Sequence, residues 1–203
     1  DRVIAATYKR FPIVLERGEG TAVWDTQGRR YTDFVSGIAV CNLGHAHPRI
    51  AEAVARQARQ LVHVSNLYYT VPQTELADLL VVQCFADRVF FCNSGAEANE
   101  AAIKLARKYF KDKDQPERYR IVSMERSFHG RTMATLSATG QEKIRAGYDP
   151  VLQGFSFVPF NDTEALEAAV DDRTCAVMLE PIQGEGGIRC PTPDYLQQVR
   201  QMC

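Results

Sequence analysis

The 203 residues include 24 Lys and Arg and 25 Asp and Glu, which leaves a formal net charge of −1. Without a basic block or an apolar run of about 18 residues, nucleic acid and membrane are not expected as partners. The six cysteines are scattered and form no CxxC pair, which favours reduced thiols, no metal site and a cytoplasmic protein.

The first part of the chain predicts a small β-unit followed by helices. Short strands are predicted at 21–25 and 30–34, joined by a turn in which Gly28 can take a positive φ. Pro48 is expected to begin a helix, because apolar residues recur after it at helical spacing. A second helix is predicted over about 72–84.

From residue 88 onward, predicted strands and helices alternate. Strands are predicted at 88–91, 120–124, 155–159 and 175–180, and helices at 96–110, at 163–169 and from Pro193 onward. Asn161 with Glu164, and Thr192 before Pro193, are expected helix caps. Short apolar strands that alternate with helices indicate an α/β fold with a mainly parallel sheet.

The stretch FFCNSGAEANEAAIKLARKYF, residues 90–110, predicts a strand, a turn of small polar residues and a helix. Ser94 and Glu97 have the spacing of a capping box, and Gly95 and Ala96 leave backbone N–H groups uncovered at the helix start. Such a helix start binds anions, phosphate above all, although a tight turn that needs small residues would read the same way. Neither a Walker A loop nor GxGxxG is present.

An apolar stripe is predicted to pack the same helix on the sheet. Its members are Ala98, Ala102, Leu105 and Tyr109. Glu100 and Lys104 have the spacing of a pair on the exposed side of that helix.

Five motifs occur in the same order as in class III, pyridoxal-phosphate-dependent aminotransferases. They are WDTQGRRYTDF (24–34), GIAVCNLGHAHP (37–48), NSGAEANEAAIKLAR (93–107), SFHGRT (127–132) and EPIQGEGG (180–187). The chain therefore resembles that family over nearly its whole length. Within the family, HVSNLYY (63–69) and DDRTCAVMLEPIQGEGG (171–187) are most similar to the acetylornithine branch.

The resemblance implies a fold-type-I transferase that forms a homodimer with active sites at the subunit interface. Residues 1–45 would form an N-terminal arm and part of a small domain. Residues 46–203 would form the first part of the large, pyridoxal-phosphate-binding domain, whose mainly parallel sheet has helices on both faces.

The resemblance also implies a reaction. The amino group of N2-acetylornithine would pass to 2-oxoglutarate, giving N-acetylglutamate 5-semialdehyde and glutamate, a step of arginine biosynthesis. Ornithine, succinylornithine and 4-aminobutyrate are alternative amino donors. A non-catalytic binding protein that keeps the fold but lacks the catalytic lysine is an alternative of another class.

Several residues match family positions that hold the cofactor. Gly95 and Ala96 match the backbone donors to the cofactor phosphate, and Ser94 lies beside them. Phe128 matches the aromatic residue that stacks on the pyridine ring, and His129 is expected either near the cofactor or in a structural role.

Three further residues match substrate positions. Arg131 matches the arginine that receives the substrate carboxylate, and its planar guanidinium suits that role. Glu185 matches a glutamate that pairs with a second arginine and releases it for 2-oxoglutarate. Tyr8 is expected to line the substrate pocket, and Glu180 to support the site from behind.

The reaction also needs a lysine that forms a Schiff base with the cofactor. The lysines are at 9, 104, 108, 111, 113 and 143, and none stands in the motif of the family's catalytic lysine. By resemblance, that lysine is expected beyond Cys203, and the chain is expected to be the N-terminal part of a longer aminotransferase with no catalytic residue of its own.

Overall fold

The computed structural model describes residues 3–203, which fall into two compact units. The first unit ends at Asp78, and the second runs from Leu79 to Cys203. The predicted division at residue 45 stays a prediction. The elements in chain order are β1 (Leu15–Glu19), β2 (Ala22–Asp25), β3 (Arg30–Thr32), α1 (Ser36–Ala39), α2 (Pro48–Gln60), a 3-10 turn (Ser65–Leu67), α3 (Val71–Val82), α4 (Gly95–Lys111), β4 (Arg120–Met124), α5 (Met133–Ala138), α6 (Glu142–Arg145), β5 (Phe155–Val158), α7 (Thr163–Ala169), β6 (Thr174–Met178) and α8 (Tyr195–Met202).

The first unit contains an antiparallel sheet in the order β1-β2-β3. The turn between β2 and β3 is the predicted one: Asp25 accepts the N–H groups of Gln27 and Arg29, both at 2.9 Å, and Gly28 has φ +78°. The prediction did not include β1, because its sequence LERGE is polar and four of its five residues remain exposed.

The second unit is built on a parallel sheet in the order β5-β4-β6. Successive side chains of a strand point to opposite faces. Accordingly, Val122 of β4 packs with Leu166 of α7 and Tyr195 of α8, whereas its neighbour Ile121 packs with Ile103 of α4 and Ala134 of α5. Helices therefore cover both faces of this sheet, and the predicted α/β architecture is confirmed.

Most predicted elements of the second unit agree with the structure to within about two residues, and three details were wrong. Residues 88–91, which the structure describes, form no strand, because a strand is defined by a partner that a local pattern cannot reveal. Helix α7 is capped by Asp162, which accepts the N–H of Ala165 at 2.8 Å, and not by Asn161. Helix α8 begins after Asp194 and not after the expected cap Thr192. Asp194 has a φ of +66°, and its side chain forms no capping hydrogen bond.

The predicted packing face of α4 was also wrong. Leu105 and Tyr109 are 71% and 52% exposed, whereas Ile103 is 3% exposed. The inner face of the helix is partly polar and includes Asn99 and Glu100, which are half-buried. The prediction counted only apolar residues. It therefore missed a helix face that contacts the rest of the unit through hydrogen bonds.

Among residues 3–203, no helix is long and apolar enough to cross a membrane. All six cysteines are free thiols.

Candidate active site

Two segments that follow neighbouring strands meet at one edge of the parallel sheet. Because β4 and β6 pair in parallel, their carboxyl ends share that edge, where open α/β sheets bind ligands. The segment after β4, residues 125–132, carries Phe128, His129 and Arg131. The segment after β6, residues 179–189, carries Glu180 and Glu185.

The N-terminus of α4 has the geometry of an anion site. Ser94 Oγ accepts the N–H of Glu97 at 3.1 Å, and the Glu97 carboxylate accepts the N–H of Asn93 at 2.7 Å. The predicted capping box thus forms, with its return bond one residue earlier than in the usual motif. The N–H groups of Gly95 and Ala96 begin the helix, so helical geometry provides them with no acceptor. The space beside Gly95 is open: apart from its chain neighbours and the backbone of its own helix, no heavy atom lies within 4 Å of where a Cβ would lie.

This helix end lies directly against the segment after β4. A Cβ added to Gly130 would lie 2.9 Å from the Cβ of Ala96, and Gly130 has φ +130°, so a side chain there would be strained as well as crowded. Asn99 Nδ2 donates to the carbonyl oxygen of His129 at 2.8 Å. The helix start and the segment that carries Phe128 are therefore neighbours in the fold.

Glu100 makes a second connection between α4 and this segment. Its carboxylate accepts the hydroxyl of Thr132 at 2.6 Å and the N–H of Ala134 at 3.1 Å. The predicted exposed pair with Lys104 was therefore wrong, because the Glu100 carboxylate turns inward to these donors. Lys104 itself is exposed, as predicted.

Phe128 and Arg131 are close to each other at the rim. The guanidinium carbon of Arg131 lies 5.7 Å from the centroid of the Phe128 ring, within range of a cation–π contact. Phe128 is half-buried and Arg131 is exposed. A flat ring and a planar cation side by side suit a ligand that combines an aromatic system with a carboxylate.

His129 points away from the rim into a buried polar cluster. Ser123 Oγ has one proton, which it donates to the carbonyl oxygen of Ala138 at 2.8 Å. It must therefore accept from Ser127 Oγ at 3.3 Å and from His129 Nε2 at 3.2 Å, which places a proton on Nε2. Burial lowers the pKa of His129 to about 4, so the ring is neutral near pH 7. Its predicted contact with a cofactor stays a prediction.

The segment after β6 brings two carboxylates to the same edge. Glu180 accepts the N–H of Phe128 at 2.8 Å and the N–H of Gly184 at 3.3 Å. Glu185 is exposed and lines a pocket with Arg126 and Lys143.

Some of the residues that build the site lie inside the quoted motifs, yet nothing in the sequence marked their individual roles. Gln183 is 0% exposed and donates from Nε2 to the carbonyl oxygen of Glu125 at 2.9 Å. Asn99 and Glu100 read as ordinary helix residues, and only their partners reveal their role. Tyr8 lies in the first unit with its side chain 57% exposed, and its role in a substrate pocket stays a prediction.

The fold and this edge define an α/β domain whose exposed groups are suited to an anionic, aromatic ligand. The sequence profile of the family described as aminotransferase class-III matches residues 3–203, and the chain belongs to that family. Class-III aminotransferases depend on pyridoxal phosphate, an aromatic phosphate. The predicted family membership and fold-type-I architecture are confirmed.

Curated relatives are similar over nearly the whole chain. An acetylornithine aminotransferase of Caldanaerobacter subterraneus is 57% identical over 97% of this chain and 50% of its own length. That of Nostoc is 54% identical over 100% of this chain and 49% of its own length. The chain spans about half the length of the curated relatives it matches.

Solved structures have the same fold. The ornithine aminotransferase of Toxoplasma gondii superposes with a TM-score of 0.93 at 32% identity, over 100% of this chain and 48% of that one. The N-acetylornithine aminotransferase of Stenotrophomonas maltophilia superposes with a TM-score of 0.79 at 42% identity, over 97% of this chain and 49% of that one.

Proposed function

We propose that this chain forms the phosphate-binding and carboxylate-binding side of an N2-acetylornithine aminotransferase. The enzyme passes the terminal amino group of N2-acetylornithine to 2-oxoglutarate, giving N-acetylglutamate 5-semialdehyde and glutamate. The observation that carries this proposal is the contact between the start of α4 and the Phe128 segment, marked by the fit of Gly130 against Ala96. The identity of 57% to an acetylornithine aminotransferase supports the choice of substrate.

The residues at the sheet edge fit pyridoxal phosphate. The N–H groups of Gly95 and Ala96 are suited to the phosphate, because the helix dipole adds positive potential and the adjacent space is open. Ser94 presents its hydroxyl at the same helix end, where its oxygen already accepts the N–H of Glu97. The half-buried ring of Phe128 offers a flat face on which a pyridine can stack.

Bound there, the cofactor supplies an electron sink for proton transfer at the carbon that carries the amino group. The chain itself orients the reactants. Arg131 would bind the α-carboxylate of the substrate through its planar guanidinium, and Phe128 beside it would offer a flat face to the cofactor ring. Since the α-amine of N2-acetylornithine is acylated, only the far amino group can react.

Glu185 is proposed to distinguish the two substrates by pairing with a further arginine. The Glu185 side chain is exposed, which leaves it room to move between two positions. The backbone directly before it is fixed, because the N–H of Gly184 donates to the Glu180 carboxylate. We also propose a cytoplasmic homodimer that serves arginine biosynthesis.

The proposal is tested with Arg131→Lys and Arg131→Ala in the complete enzyme, with Arg200→Ala, at an exposed arginine of α8, as the matched control. Loss of the charged, bidentate contact is expected to cost about 2–4 kcal/mol. The expected loss in kcat/KM for N2-acetylornithine is therefore roughly 30-fold to 1000-fold for the alanine variant, with incomplete rescue by lysine. Unchanged kinetics in Arg131→Ala would remove this residue from the site.

A second candidate, ornithine aminotransferase, is favoured by the TM-score of 0.93 to the Toxoplasma gondii enzyme of that name. The relative kcat/KM of N2-acetylornithine, ornithine, succinylornithine and 4-aminobutyrate distinguishes these donors. We expect N2-acetylornithine to give the highest value. A higher value for ornithine, or an equal value for 4-aminobutyrate, would replace the proposed substrate.

A further inference from the structure

One carboxylate connects the two segments of the site. Glu180 belongs to the segment after β6, yet it accepts the backbone N–H of Phe128, 52 residues away in the chain, at 2.8 Å. It also accepts the N–H of Gly184, directly before Glu185, at 3.3 Å. The first bond uses Oε1 and the second uses Oε2, so each oxygen serves one segment.

A second connection lies below the first. Gln183 is buried and donates to the carbonyl oxygen of Glu125, and its backbone exchanges two hydrogen bonds with Arg189. These bonds fix the backbone of the segment after β6 at Gln183 and Arg189. The bonds of Gln183 do not reach Phe128. Among residues 3–203, the hydrogen bond that joins this segment to the backbone of Phe128 is the one that Glu180 accepts.

We propose that Glu180 is a positioning residue that sets the Phe128 ring and the Gly184–Glu185 backbone relative to each other. This inference rests on the proposed function, because Phe128 and Glu185 are assigned there to the cofactor and to substrate exchange. A carboxylate is needed because it presents two acceptor oxygens to two N–H donors. An amide presents one oxygen, and its NH2 group would face an N–H group.

Loss of the Glu180 carboxylate is expected to change both cofactor binding and turnover. Since Glu180 acts through the backbone of Phe128, its loss should misplace the ring and weaken cofactor binding. Since it also anchors Gly184, both half-reactions should slow through kcat, while KM for the amino donor changes little. A residue with only a structural role would lower the Tm and leave cofactor affinity unchanged.

The test uses the complete holoenzyme with Glu180→Gln, and with Glu167→Gln, at an exposed residue of α7, as the matched control. We expect Glu180→Gln to raise the dissociation constant of pyridoxal phosphate by roughly 10-fold and to lower kcat by a similar factor, the effect of one lost charged hydrogen bond. Hydrogen–deuterium exchange should become faster in peptides that contain Phe128 and Gly184. In the control, all three quantities should stay at wild-type values.

If Glu180→Gln fails to fold, Glu180→Asp replaces it, because the shorter carboxylate keeps the charge but cannot reach both N–H groups. A cofactor affinity within 2-fold of wild type in the folded variant, or unchanged exchange at both peptides, overturns the role of Glu180. A wild-type enzyme that neither binds the cofactor nor transaminates contradicts the proposed function itself.

Discussion

The two sheets differ in the charge state of a buried polar side chain. Beside the parallel sheet, burial lowers the pKa of His129 to about 4 and keeps the imidazole neutral. In the antiparallel sheet, burial alone would raise the pKa of Asp25, but hydrogen bonds from Arg29, Tyr31 and Gln27 outweigh it and lower that pKa to about 2. Both side chains are less than 5% exposed, yet one is kept neutral and the other is kept charged.

Burial favours the neutral form of both groups, and the hydrogen-bond partners decide whether that preference is overcome. Asp25 receives four donors: the Gln27 and Arg29 N–H groups, the Arg29 side chain at 2.7 Å and the Tyr31 hydroxyl at 2.9 Å. His129 faces the hydroxyl of Ser123, which carries no charge to balance an imidazolium. Without compensation, desolvation disfavours the charged form.

The largest expected effect is the loss of stability that buried His129 causes at low pH. The pKa of His129 falls from 6.5 to about 4 on folding, so below pH 6.5 the unfolded chain takes up a proton that the folded chain refuses. The contribution of neutral His129 to the free energy of unfolding is complete above about pH 7 and is lost as the pH falls toward 4. At about 1.4 kcal/mol per pKa unit, this loss is about 3 kcal/mol.

His129→Gln, whose amide can still donate to Ser123, should remove that part of the pH dependence. Denaturant unfolding of the second unit at pH 7 and near pH 4 measures it. If the variant loses as much stability as the wild type over this range, His129 is not the titrating group.

The next effect compares the two sheets through the same substitution. Val122 in β4 is 1% exposed and packs under α7 and α8, whereas Val23 in β2 is 8% exposed in the antiparallel sheet. Val122→Ala should cost about 2–3 kcal/mol, because a covered site leaves a cavity, and Val23→Ala should cost about 1 kcal/mol. Hydrogen exchange of β4 and β2 measures each unit separately, and equal losses would mean that the two sheets are equally well covered.

The smallest effect concerns the charged cluster. Asp25 has a folded pKa of about 2, below its ordinary 3.8, so its contribution is present above about pH 4 and is lost as the pH falls to 2. Asp25→Asn should be less stable than the wild type at pH 7, and this gap should close between pH 4 and pH 2. The effect should be modest, because Arg29 is 60% exposed and water competes for it.

Asp112→Asn is the matched control, since among residues 3–203 Asp112 forms an ion pair only with exposed Lys108, at a helix end, and is itself 59% exposed. It should leave stability almost unchanged. An equal loss in both variants would mean that burial of Asp25 adds nothing to its pairing.

The sequence by itself determined the α/β fold class, the order of most elements and the family. These follow from local signals: helical and strand periodicity, caps such as Ser94 for α4, and five motifs in a fixed order. It also predicted that Phe128 and Arg131 belong to one site, because they are three residues apart in one motif.

The tertiary structure alone decided which groups face each other. The buried face of α4, the turn of Glu100 toward Thr132 and Ala134, the neutral state of His129 and the reach of Glu180 to Phe128 all depend on partners distant in the chain. The bonds from Asn99 and Glu100 span 30 to 34 residues, and that from Phe128 to Glu180 spans 52. Hydrogen bonding and desolvation act at distances of a few ångströms in space, so a pattern along the chain does not contain them.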